Sequence, residues 1–325
     1  MCTCIKLKKK NTYFGRNLDL QYDFGQKVVI TPRNYLFKLR CNESFRTKYA
    51  IIGMATVEDN YPLYAEASNE VGLSIAGLYF PGNAHYNEVK DDKFNLASFE
   101  LIPYILGNLS NVEETKELLQ NINIVNLSFK DTLPATELHW MISDRNKTII
   151  LEQTIDGVSV YDNPYEVLTN NPPFSYHLMN INNYLNLTPK YAINRFSKNT
   201  NLTACSNGCG SLGLPGDTSS PSRFIRAVFN KTNSVCNEDD EMSCVSQFFH
   251  LLSSVEMVKG STYTEDEKCD YTRYSSCINI DQGIFYYRTY NNSCISAVKF
   301  NPENINSNEL SIFQLDDKEK ITYLN

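Results

Sequence analysis

The chain has 325 residues, 42% of them apolar, with 37 acidic against 30 basic side chains and a formal net charge of −7. That length can bury a substantial core, as one large domain or two small ones, and the acidic balance excludes nucleic acid as the main partner. No apolar run approaches the roughly 20 residues of a membrane span, and the polar start lacks the apolar stretch of a signal peptide. The expectation is therefore a cytoplasmic protein with no membrane partner.

The chain opens Met1-Cys2-Thr3. Methionine is trimmed when the second residue is small, so Cys2 is expected to become the terminus, with a thiol and a free α-amine on one residue. A thiol of pKa about 8.5 is only a few per cent ionised at neutral pH, and an amine of about 7.7–8.0 is a matched proton acceptor already within reach. The bland alternative is an accidental cysteine, and the following residues weigh against it. A hairpin tipped by Lys8 to Lys10 would return Tyr13-Phe14-Gly15-Arg16-Asn17-Leu18-Asp19 antiparallel beside residue 2. Arg16 would then be a permanent cation favouring thiolate, and Asp19 could accept a hydrogen bond from the α-amine.

Short β-branched or apolar runs bounded by Pro, Gly or Asn predict strands at Lys27–Ile30, Tyr49–Gly53 and Leu73–Tyr79. Residues 95–125 switch to helical spacing: Leu96, Phe99, Pro103 and Leu106 suggest one helix. A second is predicted behind a capping box at Ser110-Asn111-Val112-Glu113, with Leu118, Leu119 and Ile122 on its face. Strands follow at Leu138–Ser143, Lys147–Gln153 and Val158–Tyr161, then a helical stretch around Tyr176–Leu185. Pro189–Ser220, rich in Asn, Ser, Gly and Pro, is a loop excursion. Helices are predicted near Pro221–Lys231 and Asp239–Val258, and a closing hairpin at Gly283–Tyr290 and Cys294–Phe300 turns at Asn291-Asn292. Alternating blocks of strands and helices make an α+β class.

Ten cysteines in a long, apparently cytosolic chain do not imply a disulfide framework. Cys205-x3-Cys209 and the scattered Cys236, Cys244, Cys269 and Cys277 lack zinc-ribbon spacing, and His85, His139, His177 and His250 do not pair at metal spacing. Most are read as buried free thiols. No metal or cofactor is expected.

The start MCT followed by FGRNLD resembles the choloylglycine hydrolase family, the N-terminal-nucleophile amidases that include bile salt hydrolases and penicillin V acylases. The resemblance continues in order through Thr31–Tyr35, Asn69–Leu73, Leu138-His139-Trp140, Leu168–Pro172, Leu214–Asp217, Ser222-Arg223-Phe224 and Tyr274–Cys277, nearly the whole chain. It implies one domain over residues 1–325 with a four-layer αββα sandwich of two antiparallel sheets between helices. It implies an amide substrate cleaved by Cys2, with Arg16 and Asp19 beside it. The oxyanion donors would be the side-chain amide of Asn170 and the backbone N–H of Tyr79, and Arg223 would point its charge into the site. Relatives suggest a homotetramer.

Two signals conflict over substrate. Tyr79 matches the penicillin V acylases, where bile salt hydrolases commonly carry Asn, but the text around Pro32–Tyr35 and Gly77–Gly82 reads closer to the bile salt branch. The balance falls to deconjugation of glycine- or taurine-linked bile salts. Penicillin V-type amidase action stays open, as does a non-catalytic relative that binds amphipathic ligands or senses thiol state through Cys2 and Cys4.

Overall fold

The lysine-tipped hairpin of the first twenty residues is present in the computed structural model, which describes residues 1–325. Strands Cys2–Lys8 and Thr12–Leu20 pair antiparallel, with Cys2 opposite Leu18 and Cys4 opposite Arg16. Gly15 sits where the next strand comes close: a Cβ there would lie 2.0 Å from the Ser276 carbonyl oxygen. That strand, Tyr271–Asn279, carries the sheet on to Ile284–Thr289 and Asn292–Lys299, and Val167–Leu168 closes the other edge, making six strands.

A second sheet of eight strands runs Gly157–Asp162, Thr148–Thr154, Leu138–Ser143, Ser74–Tyr79, Tyr61–Asn69, Ile51–Glu58, Lys27–Thr31 and Ser311–Phe313. All its pairings are antiparallel. The two sheets face each other through Cys2–Lys8 and Thr12–Leu20 on one side and Ser74–Tyr79 on the other. Helices Ser220–Thr232 and Glu241–Ser253 pack on the outside of the six-stranded sheet, and Leu101–Asn108 on the outside of the eight-stranded one. The result is the four-layer αββα sandwich. Two apolar clusters hold it: one joins the facing sheets to the first helix pair, and the other joins Ile51, Ile75 and Trp140 to Leu101, Ile105 and Leu106. Each such fully buried side chain contributes about 1.5–3 kcal/mol.

Several predicted elements are corrected. Residues 95–125 are not two helices alone: Phe94–Ala97 and Ile122–Val125 are strands paired in parallel, flanking helices Leu101–Asn108 and Val112–Leu119. Leu96 and Ile122, read at helical spacing, are instead buried by that pairing. The cap of the second helix is Asn111, one residue later than read, with its Oδ1 accepting from Glu114 N–H at 2.9 Å. Nor are most cysteines buried free thiols. Cys236 and Cys244 are disulfide-bonded, and of the other eight only Cys2, Cys4 and Cys277 are buried. No helix is long and apolar enough to cross a membrane.

Candidate active site

The site forms where the strand Ser74–Tyr79 parts from its neighbour. Its pairing with Tyr61–Asn69 ends at Ala76, next to a register shift in that neighbour, whereas its pairing with Leu138–Ser143 continues to Tyr79. The carbonyls of Gly77 and Tyr79 are thereby left without a strand partner on that side. Buried carbonyls need donors, and the sequence supplies two. Arg16 Nη1 donates to the Gly77 carbonyl at 2.5 Å and to that of Ala65 at 3.4 Å. Asn170 Nδ2 donates to the Tyr79 carbonyl at 2.7 Å. N–H and C=O of one strand residue face the same way, so the Tyr79 N–H is turned to the same side.

Asn170 is the hub. Its Oδ1 accepts from the Cys2 backbone N–H at 2.7 Å and from Arg223 Nη2 at 2.8 Å. With donors on the oxygen and an acceptor on the nitrogen, the amide has one satisfied orientation. Arg223 projects from the first turn of helix Ser220–Thr232 and is wholly buried. Its Nη1 donates to the Cys2 carbonyl at 2.5 Å and to Thr3 Oγ1 at 2.6 Å, and its Nε to the Thr218 carbonyl at 3.0 Å. Burial pulls the Arg223 pKa down, opposed by Asp19 and Cys2. The helix start also fixes the Asn170 segment: Ser220 Oγ accepts from Asn170 N–H at 2.8 Å and donates to Thr169 Oγ1 at 2.9 Å.

Arg16 lies between the sheets. Burial opposes its charge, but Cys2 and Glu66 beside it hold the pKa above the usual arginine value. Asp19 is buried, with Oδ1 accepting from Thr272 Oγ1 at 2.6 Å. Burial raises its pKa against the pull of the terminal ammonium and Arg223. With Met1 in place, that ammonium donates to the Asp19 backbone carbonyl at 2.7 Å and to Asp270 Oδ2 at 3.0 Å. The carboxylate that the Met1 ammonium touches is thus that of Asp270, while Asp19 meets it through its backbone carbonyl. Cys2, Arg16, Asn170, Arg223 and the Tyr79 backbone are brought together; Tyr79 itself is 43% exposed.

Five residues besides Asp270 have roles here that the sequence did not assign. Glu66 and Tyr274 join the sheets, Tyr274 Oη donating to Glu66 Oε2 at 2.8 Å, with that oxygen 3.9 Å from Arg16 Nε. His139 spans from Glu152 Oε1 (Nδ1, 3.0 Å) to the Thr169 carbonyl (Nε2, 2.9 Å) and stacks on Phe80. His177 Nε2 lies 3.3 Å from the Asn170 carbonyl, and burial drives its pKa down to about 4, so the ring is neutral. Both histidines brace the segment carrying Asn170. Arg226 is half-buried and donates to the carbonyls of Ser254, Pro215 and Asp217.

Residues 2–313 match the model of linear amide C–N hydrolases, choloylglycine hydrolase family. The chain belongs to the choloylglycine hydrolase family. It is accordingly a linear-amide C–N hydrolase. It is 47% identical over 315 residues to a bile salt hydrolase/transferase of Lactiplantibacillus plantarum, covering 97% of each chain. It is 41% identical over 334 residues to another of Clostridium perfringens, covering 100% of both. The crystal structure of the C2A mutant conjugated bile acid hydrolase from Clostridium perfringens superposes with a TM-score of 0.92 at 40% identity, covering 100% of both chains. The penicillin V acylase of Agrobacterium tumefaciens shares the fold, at a TM-score of 0.76 and 18% identity over 98% of this chain and 94% of that one. The N-terminal-nucleophile hydrolase fold expected from the sequence is the one observed.

Proposed function

We propose that this choloylglycine hydrolase removes Met1 and uses Cys2 to hydrolyse the amide bond of glycine- or taurine-conjugated bile salts. The observation that carries the reading is the Cys2–Asn170–Arg223 triangle, in which one amide oxygen receives both the backbone of the nucleophile and a buried guanidinium. With Met1 gone, the α-amine of Cys2 takes the thiol proton and the sulfur attacks the acyl carbon. Arg16 favours the thiolate. The Tyr79 N–H and the second hydrogen of Asn170 Nδ2 receive the oxyanion. The C–N bond then breaks, the α-ammonium returns its proton to the leaving amine, and water cleaves the thioester. Asp19, Asp270 and Arg223 position the terminus.

The names of the relatives at 37–47% identity, bile salt hydrolase/transferase and conjugated bile acid hydrolase, support the bile salt side. A penicillin V-type preference has one observation in its favour, the half-exposed Tyr79 ring at the site's edge. A binding or sensor relative has no need of Cys2, Arg16, Asp19, Asn170 and Arg223 together. The proposal extends to a cytoplasmic homotetramer of one domain per chain; exposed Ile193, Phe196 and Leu212 on the loop excursion, with Leu185 just before it, support self-association. The test is a parallel hydrolysis assay on glycocholate, taurocholate and penicillin V, with intact-mass measurement of the protein. Turnover of both conjugates by a chain lacking Met1 is expected. Full activity with Met1 retained, or turnover of penicillin V alone, would overturn the reading.

A further inference from the structure

Away from the site, Cys205 and Cys209 have sulfurs 3.5 Å apart. Cys205 is exposed and Cys209 partly so. The chain builds this approach locally. Gly208, at φ +87°, takes the left-handed conformation that reverses the backbone, and Cys209–Ser211 form a short 3₁₀ turn. Thr188 N–H donates to the Gly210 carbonyl at 3.0 Å, and Tyr191 Oη to that of Ala204 at 3.3 Å, so both cysteines are tied to the outgoing limb of the excursion. Leu187 and Leu214 pack its two ends against the main core. Disulfide sulfurs lie about 2.05 Å apart, so the two thiols stand about 1.5 Å short of bonding distance.

We propose that Cys205 and Cys209 form a redox-active dithiol that reacts with low-molecular-weight disulfides and closes the 205–209 turn of the excursion by an internal disulfide. Cys209 attacks first: hydrogen bonds from Ser206 lower its thiol pKa, and the Ser206 hydroxyl lies 3.7 Å from its sulfur. Its thiolate displaces one thiol from the small disulfide and forms a mixed disulfide. Cys205, its proton released to water, attacks the Cys209 sulfur and expels the second small thiol. The protein loses two electrons and two protons, and one small disulfide becomes two thiols. The five-residue ring restrains opening of this turn, with chain entropy capping the effect at about 30-fold.

The test exposes the full chain to glutathione disulfide, quenches with iodoacetamide and maps the peptides by mass spectrometry. Cys294, exposed and free, serves as the internal reference. The expected result is an internal Cys205–Cys209 disulfide formed before Cys294 carries glutathione, and reversed by dithiothreitol. Cys205→Ser should leave a lasting glutathione adduct on Cys209. Proteolytic cutting at the turn, between residues 202 and 212, should slow severalfold on oxidation, up to the 30-fold ceiling. Two alkylated thiols, or two glutathione adducts, on this peptide once Cys294 is modified would overturn the dithiol. An unchanged cutting rate with the disulfide formed would overturn the restraint on the turn.

Discussion

Asn170 offers the sharpest test, because its two side-chain atoms do different jobs. Oδ1 holds Cys2 N–H at 2.7 Å and Arg223 at 2.8 Å, while Nδ2 holds the Tyr79 carbonyl at 2.7 Å and keeps a second hydrogen for an oxyanion. Asn170→Ala deletes all three bonds. It leaves one guanidinium N–H of a wholly buried arginine without its partner, a loss of about 1.5–3 kcal/mol of stability for a hydrogen bond to a charged group. If Nδ2 also receives the oxyanion, kcat falls by about 10²–10³, or about 2.7–4 kcal/mol, with KM changing much less. Alanine alone does not separate loss of the donor from displacement of Cys2 and Arg223. Asn170→Asp does, since it keeps an oxygen for both Oδ1 partners and replaces the donor by a second acceptor. Steady-state kinetics of glycine release from glycocholate, with urea unfolding of each variant, reads both effects. Asp should be as damaged in kcat as Ala while remaining the more stable. An Asp variant within about tenfold of the parent would refute the oxyanion role and leave Asn170 as a brace.

Cys2→Ala should abolish amide hydrolysis with the fold intact, and Cys2→Ser should be severely impaired because an alcohol is a far weaker acid; turnover by the alanine variant would remove Cys2 from the mechanism. Arg16→Ala removes the cation beside Cys2 and should slow its alkylation by iodoacetamide at neutral pH severalfold; an unchanged rate would separate Arg16 from the sulfur. His177, with its pKa driven from 6.5 to about 4 by burial, binds fewer protons folded than unfolded across that window. Its contribution, about 3 kcal/mol, is complete above pH 6.5 and is lost as pH falls towards 4. Urea midpoints should show that fall in the parent and a weaker one in His177→Phe. Tyr79→Asn should raise kcat/KM for conjugated bile salts relative to penicillin V by about 10–200-fold if the ring lines the acyl pocket; equal changes on both substrates would clear Tyr79 of selectivity.

Cys2, Arg16 and Asp19 were legible because one hairpin carries them and its lysine tip fixes the register. What Arg16 touches was not. Its acceptors, Gly77 and Ala65, belong to the other sheet, and nothing in an alternating strand shows where two strands will part. Asn170 and Arg223 stand far from Cys2 in the chain and were found through the family resemblance; no spacing rule joins them. Glu66 was missed along with its strand, Tyr61–Asn69, where Pro62 and mixed polarity hide the period. A carboxylate on the buried phase of a strand is the signal that could have found it. Asp270 closes an exposed polar stretch, Thr264–Lys268, and only the folded terminus gives it a partner. The Cys236–Cys244 bond was equally illegible, because cysteine count and spacing alone do not specify pairing.

Burying charge is expensive, and a carboxylate–guanidinium pair gives no stability that apolar side chains of similar volume would not match. Arg16, Arg223, Asp19 and Glu66 are all buried around Cys2, so their presence needs another reason. The manner of their pairing supplies it. Arg16 is held by neutral carbonyls of Gly77, Ala65 and Asn17, and the nearest oxygen of Glu66 stays 3.9 Å from its Nε. That oxygen is engaged at 2.8 Å by Tyr274. Dipoles therefore fix the guanidinium while the tyrosine keeps the carboxylate from closing a forked pair on it. A forked pair would cancel the charge; an offset one leaves much of it to act on the neighbouring Cys2 thiol. Arg223 follows the same plan, anchored by the carbonyls of Cys2 and Thr218 and by Thr3, with no carboxylate in contact. Backbone acceptors exposed by a parting strand and a helix start let this fold keep two cations beside one cysteine without neutralising either.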